Sequence, residues 1–241
     1  VSFIEAALHV NTLLYRRVHD EGLKKEDYRS LSLGAGGDIS SAIDVEAERL
    51  FIEHLLPFGS IISEEGGRIE NPATSSYIIL DPIDGSDNLL SHLPYYGTSI
   101  AYFEQGACTQ AIIVNLANGD CFIKDASGFR RGKIDEKIFT EVTCNPFSKV
   151  GIFERSYGSK RVHPLLQKAG IKYRSPGAFA LSLAYARDVS FVLYEGFIRA
   201  YDVEAGRFMC EGLYLYEAQE IFLVSKDKEI FDRIVDLFIS N

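Results

Sequence analysis

The chain has 241 residues, of which 46% are hydrophobic and 24% charged, and it carries a formal net charge of −9. This is an ordinary composition for a globular chain able to bury a substantial core, either as one domain or as two fused halves. No apolar run reaches the roughly 20 residues needed to cross a bilayer, and the acidic balance disfavours a nonspecific nucleic-acid binder, which needs a basic field.

The stretch Val1–Val10 shows no basic leader followed by an apolar block, so no export signal is visible, although the lack of an initiator Met leaves room for a longer native leader. The opening segment reads as a helix. Ser2 and Glu5 have capping-box spacing, and Ile4, Ala7, Leu8, Leu14 and Val18 recur at helical intervals. A glycine-rich loop, 34–38, follows. After Asp44 a second helix is expected, with Ala47, Leu50, Phe51, His54 and Leu55 on one face and Pro57 and Gly59 ending it.

From Ile61 to Lys124 the pattern turns to strands. Ile61–Ile62 and Tyr77–Leu80 are short apolar runs that lead straight into acidic residues. Segments 98–103, 110–114 and 121–124 read as a meander with turns at Gln105–Gly106 and Asn118–Gly119. Residues 128–133 continue the sheet or its connecting loop. Beyond them we expect a strand at 150–153, helices at 161–169 and 177–187, and a strand at 189–194. A helix beginning just after Asp202 is marked by Ala205, Phe208, Met209, Gly212 and Tyr216, and a last helix carries Ile230, Ile234 and Phe238. A soft boundary at 143–149 divides the chain into halves 1–145 and 146–241, packed as one unit.

Cys108, Cys121, Cys144 and Cys210 form no Cys-x-x-Cys pair. That argues against structural zinc and a disulfide framework and for reduced thiols in a cytoplasm. Cys108 and Cys121 could face each other across a hairpin, but buried small hydrophobes are the better reading.

The strongest local signal is Asp81-Pro82-Ile83-Asp84-Gly85-Ser86, directly after an apolar strand. Two carboxylates at a strand exit can converge on one cation, Pro82 fixes the backbone between them, and Gly85 lets the chain approach a ligand with its amides. Oxygen donors without His or Cys favour magnesium, with manganese a substitute. Taken alone, an Asp-x-x-Asp-Gly is more often a turn. Ser63-Glu64-Glu65 also follows an apolar strand and reads by itself as an acidic surface loop. Asp44 and Asp202, each next to a helix, read by themselves as N-caps.

In chain order the motifs Gly37-Asp38-Ile39 through Asp44, Ser63-Glu64-Glu65, Asp81 to Ser86, and Tyr201-Asp202 leading into Ala205-Gly206 resemble the inositol monophosphatase and fructose-1,6-bisphosphatase superfamily of lithium-sensitive, magnesium-dependent phosphatases. Arg174-Ser175-Pro176-Gly177-Ala178-Phe179-Ala180 looks like that family's substrate-side segment. The resemblance implies an α/β fold layered α-β-α-β-α, a homodimer, and two or three Mg2+ ions. By it, Glu64, Asp81 and the Ile83 carbonyl hold one ion, and Asp81, Asp84 and Asp202 a second. A third ion shares Glu64. Asp44 and Ser86 orient the attacking water, and Glu65 supports the ligands from behind.

Gly85, Ser86, Gly177, Ala178, Phe179 and Asp202 are implied on the substrate side, with Glu195 at a position that contacts inositol hydroxyls. Arg174 and Arg199 could instead receive a second phosphate. Tyr201 stands where many members have Trp, and Glu217-Ala218-Gln219-Glu220 departs from the family's Glu-Ala-Gly-Gly; both changes bear on substrate choice more than on metal chemistry. The expected function is hydrolysis of a small phosphate ester, inositol monophosphate first. The alternatives are fructose-1,6-bisphosphate, 3′-phosphoadenosine 5′-phosphate, and a noncatalytic regulator that keeps the fold.

Overall fold

The computed structural model describes residues 1–37, 39–218 and 220–239, with Ser32 by its backbone alone. Helix α1 (Phe3–His19) opens with the expected capping box, the Ser2 hydroxyl accepting from the Glu5 amide and the Glu5 side chain reaching back. A short ribbon, β1 (Ser30–Leu33) and β2 (Ile39–Ser41), leads into α2 (Ala42–Leu55). Asp44 is therefore inside the first turn of α2. Ser41 is the N-cap, and Asp44 closes its capping box.

An eight-stranded sheet follows: β3 (Ser60–Ser63), β4 (Gly67–Ile69), β5 (Tyr77–Asp84), then after helix α3 (Ser86–Leu90) β6 (Gly97–Glu104), β7 (Ala107–Asn115), β8 (Asp120–Asp125), β9 (Gly128–Lys133) and β10 (Phe139–Glu141). Its order is β10-β9-β8-β7-β6-β5-β3-β4, antiparallel except for the parallel pair β3–β5. The β6–β7 turn has Gln105 at φ 51° and Gly106 at φ 83°, which matches the strand twist as a two-residue hairpin requires.

A five-stranded sheet takes the rest: β11 (Gly151–Glu154), and, after α4 (Val162–Lys168), β12 (Tyr173–Arg174). After α5 (Phe179–Ala184) comes β13 (Val192–Glu195), and after α6 (Ala200–Met209) β14 (Tyr214–Ala218) and β15 (Ile221–Ser225). Helix α7 (Lys228–Ile239) closes the chain. The order is β12-β11-β13-β15-β14. Tyr216 does not belong to α6, as its spacing implied. The helix stops at Met209, Gly212 takes φ 84°, and Tyr216 pairs with Leu223 across the β14–β15 hairpin.

Alternation along the strands builds the layers, since successive side chains point to opposite faces. Ile100, Ile112, Val114, Cys121 and Ile123 pack with α1 and α2 on one face of the large sheet. Ala101, Ala111, Ile113 and Phe122 pack with α5 and α6 on the other. Those two helices also meet Val192, Phe222 and Val224 of the small sheet, whose outer face, Leu193, Ile221 and Leu223, is covered by α4 and α7. The result is the α-β-α-β-α sandwich. The cysteines are free; Cys108 lies opposite Phe103 and Cys121 opposite Val114, so the two do not face each other.

Candidate active site

Parallel β3 and β5 place Ser63 beside Leu80, so Glu64 and Asp81 leave the sheet as neighbours. The Glu64 amide donates to the Leu80 carbonyl at 3.2 Å. Pro82 has no amide to give, and the β5–β6 register shifts between Asp81 and Asp84. Asp81 is 2% exposed, and Asp84 is also buried. Asp81 Oδ1 accepts from the Ile83 amide at 3.0 Å, and Asp84 Oδ2 from the Leu181 amide at 2.8 Å. Asp202 arrives from the first turn of α6. One oxygen each from Glu64, Asp81 and Asp202 lie within 4.8 Å of one another.

These carboxylates are held against their electrostatics. Burial, then repulsion from Glu64, Asp84 and Asp202, pushes Asp81 well above the usual carboxylate range. Asp84 is raised likewise by burial, against the opposing Leu181 hydrogen bond, with Asp202, Glu154 and Glu64 adding to the rise. Arg199 supplies part of the missing charge: it meets Glu64 Oε1 at 2.8 Å and Asp202 Oδ2 at 2.9 Å. An oxygen-only donor set that repels itself when ionised, with no His or Cys among its members, suits Mg2+ or Mn2+. The residues fit the implied ions.

Around this centre lies a cavity of about 520 Å³. Asp44, 3% exposed, accepts the Ser41 amide and hydroxyl on Oδ2, while its buried Oδ1 has no partner among the described residues. Burial raises its pKa. Glu65, raised chiefly by burial too, accepts from the Ser40 hydroxyl. The 34–36 loop is pinned over the β3 exit by Gly36 N donating to Glu64 O and Ala35 N to Glu65 O. A Cβ on Gly36 would stand 2.8 Å from Glu64 Cγ, so glycine is required there. Asp38 lies outside the described residues. Gly85 takes φ 84°, and a Cβ on it would meet the Gly177 carbonyl and Ala178 Cβ, each at 3.0 Å. The turn that follows Asp81 is thus packed directly on the segment 174–180.

Of the residues singled out in the sequence, the cavity wall contains Asp44, Glu64, Glu65 and Asp81 together with Ile83, Asp84, Gly85 and Ser86. Gly177, Phe179, Arg199 and Asp202 also line it. Three are not in the wall. Arg174 is exposed and its guanidinium donates to the Tyr173 carbonyl. Ala178 is buried behind Gly85. Glu195 turns its carboxylate to the Ser159 hydroxyl and the Val162 amide. Arg199 is in the wall, but its guanidinium is engaged by two carboxylates, not held open for a phosphate.

The sequence reading missed Glu154, Arg155, Tyr157 and Tyr194, all in the wall. Glu154 carried a usable signal, because it follows an apolar strand just as Glu64 and Asp81 do. It is 1% exposed and accepts from the Gly177 amide at 2.8 Å and from the Ser182 hydroxyl, tying the start of α5 and the segment before it to β11. Nothing in the local pattern marks the other three.

The model of the inositol monophosphatase family matches residues 3–213. A fructose-1,6-bisphosphatase of Pyrococcus furiosus is 29% identical over 183 residues, 73% of this chain and 68% of the relative. A protein of Xylella fastidiosa called Nus factor SuhB is 31% identical over 180 residues, covering 70% of this chain and 64% of its own length. The crystal structure of an inositol monophosphatase–fructose 1,6-bisphosphatase superposes with a TM-score of 0.82 at 19% identity, covering 98% of this chain and 100% of that one.

Proposed function

The chain belongs to the inositol monophosphatase family, and from that premise we propose that it is a magnesium-dependent phosphomonoesterase acting on a small phosphorylated polyol or sugar. One observation carries the reading: Glu64, Asp81 and Asp202, from three separate elements, converge at the floor of a cavity large enough for such a substrate. In this reading Glu64, Asp81, Asp84 and Asp202, with the Ile83 carbonyl, hold divalent cations. When bound, such ions supply charge neutralisation and Lewis acidity at the phosphoryl group.

The chain's own residues do the rest. Asp44 Oδ1, buried and without a partner among the described residues, is the atom available to take a proton from an attacking water. Its raised pKa makes it a stronger base than an ordinary aspartate. Ser86, at the start of α3, lines the same cavity as Asp44 and would align that water. The left-handed turn at Gly85 brings backbone close enough to face phosphate oxygens. Glu65, held by Ser40, keeps the Glu64 exit in place.

The case for inositol over other polyols rested on Glu195, whose carboxylate is engaged by Ser159 and Val162, so the substrate is proposed at the level of its class. The homodimer and the cytoplasmic location belong to this proposal; light scattering of the purified protein tests the first. Among the described residues no helix is long and apolar enough to cross a membrane.

The test is phosphate release from a panel of esters with Mg2+, with EDTA, and with Asp84→Asn. We expect Mg2+-dependent release that EDTA abolishes and that Asp84→Asn lowers by more than the roughly 10–100-fold that outer partners of metal ligands cost. Equal background rates in all three would leave the noncatalytic regulator standing.

A further inference from the structure

Helix α5 begins without a cap of its own: Ala178 holds the N-cap position and offers no side-chain acceptor. The amides left over at a helix start need partners when they are buried. Two carboxylates from different sheets supply them here. Asp84, at the end of β5, accepts from the Leu181 amide at 2.8 Å. Glu154, the last residue of β11, accepts from the Gly177 amide at 2.8 Å and, with its other oxygen, from the Ser182 hydroxyl. Asp84 is one of the proposed cation ligands; Glu154 is not.

Glu154 is also one link in a closed circuit of hydrogen bonds. Ser182, fully buried, shares a 2.9 Å hydrogen bond with the Tyr95 phenol. The Tyr95 carbonyl accepts from Asn88 Nδ2 at 2.7 Å, and the same nitrogen donates to the Pro176 carbonyl at 2.7 Å. Pro176 precedes Gly177, whose amide returns the circuit to Glu154. The 176–177 turn is therefore gripped from both sides, by Asn88 on α3 and by Glu154 on β11. Gly177 takes φ 94°, and a Cβ on it would stand 3.2 Å from Asn88 Nδ2, so the turn has little room to shift. A fully paired circuit of this kind is rigid, and removing one member leaves buried donors without partners.

We propose that Glu154 is a positioning residue of the active site, acting through α5 on Asp84. By fixing the first turn of that helix, it keeps the Gly177 carbonyl against Gly85 and the Leu181 amide on Asp84. Asp84 then presents its carboxylate to a cation in one orientation, as an outer hydrogen bond does for any metal ligand. Without Glu154 the start of α5 is free to move, and Asp84 loses its aim. The proposal rests on the metal-dependent phosphatase reading and adds to it a residue of the small sheet.

The experiment compares wild type with Glu154→Leu, Glu154→Gln and a control, Leu166→Ala, whose site is buried under α4 on the outer face of the small sheet. Two quantities are read: Mn2+ affinity, from the free-ion EPR signal, and amide hydrogen exchange over residues 177–182 in EDTA. Leucine fills the volume but accepts nothing. Glu154→Leu should therefore weaken Mn2+ binding about tenfold, the lower end for groups that hold a metal ligand in place, and speed exchange at 177–182. Glutamine can keep both hydrogen bonds, because the Ser182 hydroxyl can also accept. Glu154→Gln should thus recover most of the affinity although it lacks the charge. Leu166→Ala should lower the melting temperature and leave Mn2+ affinity intact. Unchanged Mn2+ affinity in Glu154→Leu overturns the proposal whatever exchange does. So does a Glu154→Gln as impaired as Glu154→Leu, which would assign the effect to charge, or an equal loss in Leu166→Ala, which would assign it to stability. If wild type binds no Mn2+, the metal-dependent reading fails and exchange alone decides: faster exchange at 177–182 in Glu154→Leu supports the hold on α5, and unchanged exchange overturns it.

Discussion

Asp81 shows what the site costs when no cation offsets it, a buried carboxylate raised by desolvation and by three acidic neighbours. Asp81→Asn should therefore stabilise the protein in EDTA by on the order of 1 kcal/mol, about 2–4 °C in melting temperature for a chain of this size. The same change should remove most of the stabilisation that Mg2+ confers by binding the folded state. Arg199→Ala should act in the opposite sense. It strips the counter-charge from Glu64 and Asp202, so melting in EDTA falls while the Mg2+-induced shift grows. Differential scanning fluorimetry of the two variants, with and without Mg2+, checks both. Glu154 gives a pH test. Burial raises its folded pKa above the usual 4.5, so the folded state binds its proton more tightly than the unfolded state. Its contribution to stability is fully present below about 4.5 and is lost as pH rises through the folded value. Relative to Glu154→Gln, wild type should lose unfolding free energy across that window in urea titrations; a constant difference would contradict the assignment.

At the scale of elements, the site depends on how closely α6 packs on α5. A Cβ on Gly206 would stand 2.4 Å from Leu183 Cβ, so Gly206→Ala should cost about 1–3 kcal/mol by overpacking. Because α6 carries Asp202, it should also weaken the Mg2+ response, which a surface change of equal cost would leave alone. Local chemistry made some elements legible and concealed others. Ser2 and Glu5 announced α1 because a capping box is written within four residues. Ser41 and Asp44 form an equivalent box, but the sequence reading starts this helix after Asp44 and takes Asp44 alone as its N-cap, three residues beyond the true cap at Ser41. Phe208 to Tyr216 fits a helical period by accident of spacing; the hairpin β14–β15 prevails because Tyr216 and Leu223 pair across it. Edge strands β4 and β12, three and two residues long, are too short for any period to register.

Across the whole molecule, the five layers determine which groups solvent reaches. Cys144 is exposed, whereas Cys121 and Cys210 are buried in separate layers, and Cys108 is half-buried with its thiol pushed up to about 12. Burial raises Cys121 further and lifts Cys210 to about 12. A thiol reagent at neutral pH should modify one cysteine rapidly in the native protein and four after unfolding. Two or more fast thiols would contradict this packing. The sequence by itself determined the alternation that sorts each strand's residues between layers, and the acidic exits at Glu64, Asp81 and Asp84, because both are properties of a few consecutive residues. Only the tertiary structure decided that Asp202 joins those exits, that Glu195 turns away, and that Arg155 faces the cavity. Those outcomes depend on the packing of the small sheet and α6 against the large sheet, which is the sum of many long-range contacts and is recorded in no single segment of the chain.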